Sequence, residues 1–431
     1  MSTNALTQRL GIIEHHYGQF HDDLSRRLCI LRTAADEGRM LAAFYRQEGS
    51  EHSRFPDLIL GFAIPFQQPN HYTNALRREF QMMLEQGGEQ LRQHKVDVPF
   101  RLPPSLDNSE HLFAYFQQFQ QALHYLEGNL TIWLTPTQVS DWMAWEDWLL
   151  QLMDHGLPAN VRLLLTPPVE ADLHRLLTAH ETATYEAILD LDMEGAIRQM
   201  AAGGDPQAPD VRFRKAMVEM NLAAQKGRLA KAEEHGQAAL RIAEQQVGWE
   251  HLEVAVHIAL GGFQPGREFQ TAQNYYEKAR RLAQRALDQG HSAGVEMFAQ
   301  AHFALAGFLV SRQEYAPAID CYQRIAVQCA QSPDCAFQRM EALRMMGYCY
   351  RVCRDLPASW AAYWEALQTA ELLDEQTRKH TTLPYIGQGL LDIILPTNNQ
   401  RYEREIRRKL ETYVGPNWEQ IITEHQTPTA R

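Results

Sequence analysis

The sequence predicts two dissimilar halves, an α/β N-terminal domain with a small parallel or mixed sheet and then an all-α stack of helical repeats. Three observations predict it. Strand-like and helix-like patterns alternate from about Cys29 to Pro168. The strand pattern is lost from about Ala183, where alanine-rich helical sequence takes over. Within that second half, a bulky residue followed three places later by a small one recurs at spacings of 40, 46 and 41 residues. The chain has 431 residues, 45% of them hydrophobic and 22% charged, which suits two or three folded cores. The expected boundaries are an α/β domain over 1–170, a linker with room for a degenerate repeat over 171–210, repeats over 211–395, and a capping helix and tail over 396–431.

Taken in order, the first elements belong to the sheet. His15, His16, His21, Asp22 and Asp23 read as a solvated helix start. The apolar run Asp57–Phe66, bounded by prolines, has the length of a buried strand. Residues 74–86 place Leu76, Phe80, Met83 and Leu84 on one helical face, and 112–126 repeats aromatic and aliphatic residues at helical spacing. Asn129–Leu134 then reads as a strand, Ser140 as a helix N-cap, and Trp142, Trp145, Trp148, Leu149 and Leu152 as a helical stripe ending near Gly156. Asn160–Thr166 is a second strand. A strand, helix and strand in so few residues is the size of a parallel βαβ crossover. The tryptophan spacing suits a helix packed on its sheet better than a stacking platform for bases or sugars.

The four anchors of the second half are Leu229/Ala232, Phe269/Ala272, Tyr315/Ala318 and Leu356/Ser359. Seven places after each bulky residue stand Gly236, Tyr276, Tyr322 and Tyr363; ten places after stand Ala239, Ala279, Ile325 and Ala366. A single helical hairpin cannot bury its apolar stripe, so the small residues are expected to let helices approach and the tyrosines to fill the gaps between hairpins. Tyr402–Val414 is expected to cap the stack and residues from His425 onward to fray.

Charge and composition exclude several functions. Acidic residues outnumber basic ones, 53 to 41, for a net charge of −12, which argues against nucleic acid or an anionic membrane as the main partner. The N-terminus has no basic segment leading into an apolar one, and no stretch nears the roughly 18 apolar residues of a membrane span, so a soluble cytoplasmic protein without membrane insertion is expected. Six cysteines are too sparse for a disulfide scaffold. Cys321, Cys329, Cys335, Cys349 and Cys353 cluster, but without a CxxC pair or ligand histidines they are expected to pack rather than bind metal. Asp190, Asp192 and Glu194 read as a helix cap or solvated face.

The repeat half resembles the tetratricopeptide-repeat family. The match is clearest from Leu305 to Ile325, with Ala306 in the small-residue slot and Tyr315, Ala318 and Tyr322 in register; Met346–Tyr350 through Trp360–Leu367 is next, and Met193/Ala196 could mark a degenerate fifth repeat. The resemblance implies a TPR-like helical-repeat solenoid with a concave ligand groove lined by first helices. An α/β domain ahead of such repeats resembles a signal-transduction ATPase with a repeat sensor. The nucleotide machinery, however, is missing. A P-loop needs glycine-rich backbone amides, a phosphate-binding lysine and a Ser/Thr on magnesium. Lys95 is the one lysine among the first 214 residues and lies in no such loop, and Leu130–Leu134 runs into Thr135-Pro136 where a magnesium-binding carboxylate would stand. The sequence also lacks GxSxG, HExxH and strand-following GxGxxG motifs, so no catalytic site, cofactor or metal is expected.

The groove positions implied by the resemblance are Arg214, Met217 and Asn221, then His257, then Gln300 and Phe303, then Glu341, Arg344, Tyr348 and Arg351. Arg344, Tyr348 and Arg351 share one helical stripe and suit capture of a carboxylate-bearing peptide, unless the arginines pair with Glu341 or Glu365. The expected function is a non-enzymatic adaptor or chaperone that holds a protein or peptide partner, of the kind that loads or regulates a bacterial effector or secretion component. Two alternatives are a regulatory nucleotide-binding switch without standard hydrolysis and an immunity-type inhibitor of a toxin.

Overall fold

The computed structural model describes residues 4–94, 96–124, 126–263 and 269–426. Two compact units divide at Met200/Ala201. The first contains α1 (Ala5–Asp22), β1 (Leu28–Arg32), α2 (Gly38–Glu48), β2 (Leu58–Phe62), α3 (Pro69–Gln86), α4 (Gly88–Gln93), α5 (Ser109–Ala122), β3 (Leu130–Leu134), α6 (Trp142–Asp154), β4 (Val161–Leu165), α7 (His174–Ala179), β5 (Thr184–Ile188) and α8 (Met193–Ala201). All strand pairings are parallel, in the order β2-β3-β4-β1-β5.

Alternate residues of each strand face opposite cores. Leu28, Ile30, Ile132 and Leu163 pack under α3, α5, α6 and α7, whereas Cys29, Leu31, Trp133 and Leu164 pack under α1 and α2. The central strands β1, β3 and β4 are buried throughout, as a sheet covered on both faces requires. The expected crossover is present as β3-α6-β4, with Trp145 and Trp148 buried on the sheet.

Several local expectations change. The N-cap of α6 is Asp141 rather than Ser140; its carboxylate accepts the backbone N–H groups of Met143 and Ala144. The stretch 171–210 is not a linker, because Thr184–Ile188 forms edge strand β5 along the full length of β1. Met193 and Ala196 lie in α8 of the first unit, where Ala196 is buried and Met193 packs against the core cluster of the sheet that holds Leu189 and Leu191. Asp192 does cap, its side chain accepting the N–H of Gly195.

His15, His16 and His21 lie in the second half of α1, not at a helix start. His16 Nδ1 meets the Tyr185 hydroxyl at 2.8 Å. His21 Nδ1 lies 3.0 Å from Asp57 Oδ2, which also accepts the Tyr17 hydroxyl at 2.8 Å, while Asp57 Oδ1 accepts the Asn129 N–H at 2.7 Å. Asp57 is buried and ties α1 to the starts of β2 and β3. Asp57→Ala strands the Tyr17 hydroxyl and the Asn129 amide without that acceptor, at an expected cost of about 1–3 kcal/mol. A urea midpoint for Asp57→Ala equal to that of the parent chain would contradict this.

The second unit contains α9 (Pro209–Gln225), α10 (Leu229–Ala243), α11 (Glu250–Gly262), α12 (Phe269–Asp288), α13 (Gly294–Ser311), α14 (Tyr315–Cys329), α15 (Ala336–Val352), α16 (Leu356–Thr369), α17 (Glu375–Lys379), α18 (Leu383–Ile394), α19 (Gln400–Tyr413) and α20 (Trp418–Gln426). Each bulky anchor is the first residue of a second helix: Leu229, Phe269, Tyr315 and Leu356 open α10, α12, α14 and α16. Three places on, Ala232, Ala272, Ala318 and Ser359 are buried where the paired helices meet. Tyr276 and Tyr363 reach the next hairpin, at Phe308 of α13 and Gly389 of α18, but they also pack closely on the first helix of their own hairpin. A Cβ on Gly261 would lie 2.9 Å from the Tyr276 ring, and one on Gly347 would lie 2.7 Å from the Tyr363 ring. The first repeat inverts the arrangement, since Gly236 makes room for Leu260 of the following helix.

The stack ends on α18, against which Leu410 of α19 and Trp418 of α20 pack. α20 continues through Gln426, so fraying does not begin at His425; residues 427–431 of the expected tail lie outside the described residues. Cys321, Cys329 and Cys349 are buried in this core. Among the described residues, one helix, α13, is long and apolar enough to cross a membrane, and half of it is buried within the fold.

Candidate functional site

Arg344, Tyr348 and Arg351 fall on α15 as the spacing predicts, and each is half-buried. Arg344 reaches back one turn to Glu341 Oε2 at 3.0 Å. The other oxygen of Glu341 accepts the Thr382 hydroxyl at the start of α18. Arg351 pairs with Asp392 at the far end of α18. These groups form a polar seam between α15 and α18, with Tyr348 packed against the core between the two arginines. Burial raises the pKa of the Tyr363 hydroxyl beneath the seam, and nearby Arg351 and Arg344 partly oppose the rise. Glu341 was legible as a partner from its helical spacing; Glu365, the other candidate, instead pairs with Arg339 at 2.7 Å. Asp392 and Thr382 were not legible, because nothing local connects them to α15.

The remaining predicted positions are not gathered there. Phe303 is half-buried, its ring 5.9 Å from that of Tyr322. Gln300 is exposed and donates to Glu296 one turn earlier. Arg214 pairs with Asp210 at 2.9 Å, and Asn221 donates to the Met217 carbonyl of its own helix. His257 departs from expectation. It is only 7% exposed and floors a separate cleft between α10 and α12, which also draws on Lys278 and Arg281. Burial, with those two cations, lowers its pKa to about 4. Among the described residues, its Nδ1 atom has no hydrogen-bond partner.

A cleft of about 570 Å³ opens where the strands of the first unit end. It is lined by Thr33 after β1, Thr166 after β4, Trp133 at the end of β3 and Thr135 to Thr137 beyond it, Gly61 of β2, and Tyr45 of α2. β1 and β4 are neighbours, yet the chain leaves β1 to α2 on one face and β4 to α7 on the other, which makes this a topological switch point. Sequence reasoning missed it, because its walls come from four strand ends and most of its residues are small and belong to no motif.

At a switch point of this kind a bound phosphate would lie against the loop that follows β1. Between β1 and α2 the chain reads Thr33-Ala34-Ala35-Asp36-Glu37, and the buried Glu37 carboxylate accepts the Ala34 N–H at 2.7 Å and the Leu191 N–H at 2.8 Å. A carboxylate thus occupies an amide that a phosphate would need and places negative charge at the helix N-terminus. Among the described residues, no charged side chain lines the cleft. Thr135 and Pro136 stand in its wall where a magnesium ligand was sought. Lys95 lies outside the described residues.

These features define the class: an α/β unit with a five-stranded parallel sheet, followed by a TPR-like stack of helical hairpins. No family model matches the chain, and no curated protein does. Among solved structures, the chain is similar to BtubC (BKLC) from P. vanneervenii, at 15% identity over 56% of this chain and 92% of that one, with a TM-score of 0.38. It is also similar to PH0952 from Pyrococcus horikoshii, a Signal Transduction ATPase with Numerous Domains (STAND) protein with a tetratricopeptide repeat sensor. That likeness is 12% identity over 92% of this chain and 77% of that one, with a TM-score of 0.27.

Proposed function

We propose that the protein is a non-enzymatic adaptor or chaperone, which holds a partner polypeptide through the seam between α15 and α18. The observation that carries this reading is the stripe of Arg344, Tyr348 and Arg351, with both guanidinium groups held by single carboxylates at a partly solvated surface. Such pairs contribute little to stability, about 0–1 kcal/mol. That range applies to the more exposed pair, Arg351–Asp392, so a partner's carboxylate can exchange with Asp392 at small cost and gain a charge-assisted contact beside an aromatic ring, while Arg344 stays held by the more buried Glu341. The Glu37 carboxylate in the phosphate position argues against a nucleotide switch run by the first unit.

The partner is to be found by copurification and mass spectrometry, and its affinity then measured against Arg344→Ala/Arg351→Ala. The expected loss is at least about tenfold, with an unchanged helical signal by circular dichroism. Affinity equal to that of the parent chain would remove the seam from consideration.

A further inference from the structure

We propose that the cleft at the strand ends of the first unit binds a flat, uncharged heteroaromatic molecule. Its volume, about 570 Å³, lies within the range of small-molecule sites. Two aromatic rings form its inner wall: Tyr45 and Trp133, with centroids 5.3 Å apart and planes inclined by 61°. Both are fixed in place by hydrogen bonds at their polar atoms. The Trp133 indole N–H donates to Thr166 Oγ1 at 3.0 Å, and the Tyr45 hydroxyl accepts the Gly61 N–H at 3.2 Å. Glycine at 61 is a condition of this wall, because a Cβ there would stand 3.1 Å from the Tyr45 ring.

Charge selects the occupant. The described residues of the lining include no charged side chain, so an ionised ligand would lose its hydration without gaining a counter-ion. Glu37, buried in the loop that borders the cleft, adds repulsion toward anions. The polar groups present are threonine hydroxyls, at 33, 135, 137 and 166, which can donate to or accept from ring nitrogens or carbonyls of a neutral molecule. An aromatic plane against Trp133 and Tyr45, edged by hydroxyls, matches these groups in shape and polarity. The site thus keeps the position of a ligand cleft on a doubly wound sheet while refusing phosphate.

The mouth is ringed by exposed Ala35, Ala42 and Ala63, which gives variants that fill the cleft without disturbing the core. The full chain is to be screened by saturation-transfer NMR with indole, quinoline and adenine, and any binder titrated by calorimetry beside magnesium ATP. At least one of the three bases is expected to bind. Ala42→Leu and Ala63→Leu, each with an unchanged urea midpoint, are expected to weaken that binding by at least about tenfold. Magnesium ATP is expected to bind no more tightly than adenine. Silence from all three bases, binding that survives both leucine substitutions, or tighter binding of magnesium ATP than of adenine would each overturn the proposal. None of these readouts depends on the partner seam of the repeats.

Discussion

Tyr363→Ala is expected to destabilise the repeat unit by about 3–5 kcal/mol, the range for deleting a buried aromatic ring. Tyr363 is 3% exposed and belongs to the large core shared by the last repeats. Its ring lies between two glycines, Gly347 of α15 and Gly389 of α18, at which a built Cβ would stand 2.7 Å and 2.6 Å from ring atoms. Backbone on both sides is therefore already at contact distance, and neither helix can collapse far into the space left by alanine. The reverse change is harmful too. Gly347→Ala pushes a methyl group into the ring and is expected to cost about 1–3 kcal/mol. Urea unfolding followed by far-ultraviolet circular dichroism checks both. A loss below about 1 kcal/mol for Tyr363→Ala would mean that the ring is not the joint described here.

Acid is expected to weaken the repeat unit through two buried histidines. His257 and His302 occupy corresponding places on α11 and α13, and both have pKa values lowered to about 4, burial being the first cause in each case. Around His257 the cations Lys278 and Arg281 add to the effect; around His302, Arg280 and Arg324 lower the value while Asp320 and the Phe298 carbonyl raise it. Nδ1 of His302 lies 2.9 Å from that carbonyl, and among the described residues its Nε2 has no acceptor to which a second N–H could donate.

The sign follows from which state binds the proton. Between about pH 4 and pH 6.5 the unfolded chain takes up protons on these residues and the folded chain resists. Their contribution is thus fully present above pH 6.5 and is lost as the pH falls toward 4. The lowering corresponds to at most about 3 kcal/mol per histidine. The test is the urea midpoint of the parent chain and of His257→Gln/His302→Gln between pH 7 and pH 4. The double variant should show the shallower decline; equal slopes would refute the assignment.

Much of this architecture was legible because it rests on repeated local patterns. The starts of the four second helices were marked by a bulky residue and a small one three places on, since every hairpin solves the same packing problem. The β3-α6-β4 crossover was legible because its strands are apolar throughout and its helix carries tryptophans on one face. β5 was not. As an edge strand it needs no continuous apolar run, and Tyr185-Glu186-Ala187 reads as readily as helix; its conformation is imposed by pairing with β1. The candidate seam was half legible. Spacing placed Arg344, Tyr348 and Arg351 together, but Asp392 lies 41 residues from Arg351 and is brought to it by the stack alone. His257 was misplaced because a small error in helical phase exchanges the open side of a first helix for the side covered by its neighbours.

The pairing of β1 also governs how the chain is made. Its two neighbours are β4 and β5, so Leu28 waits for Leu163 and Thr184 before its edges are covered. At about 5–20 residues per second of synthesis, that delay is roughly 8–30 s, during which an apolar strand has emerged without its sheet. The hairpins that follow close within their own stretch of chain and need no such wait. The earlier-made of the two units therefore completes its sheet late, and unpaired strand edges of this kind are what make partly formed chains prone to aggregation.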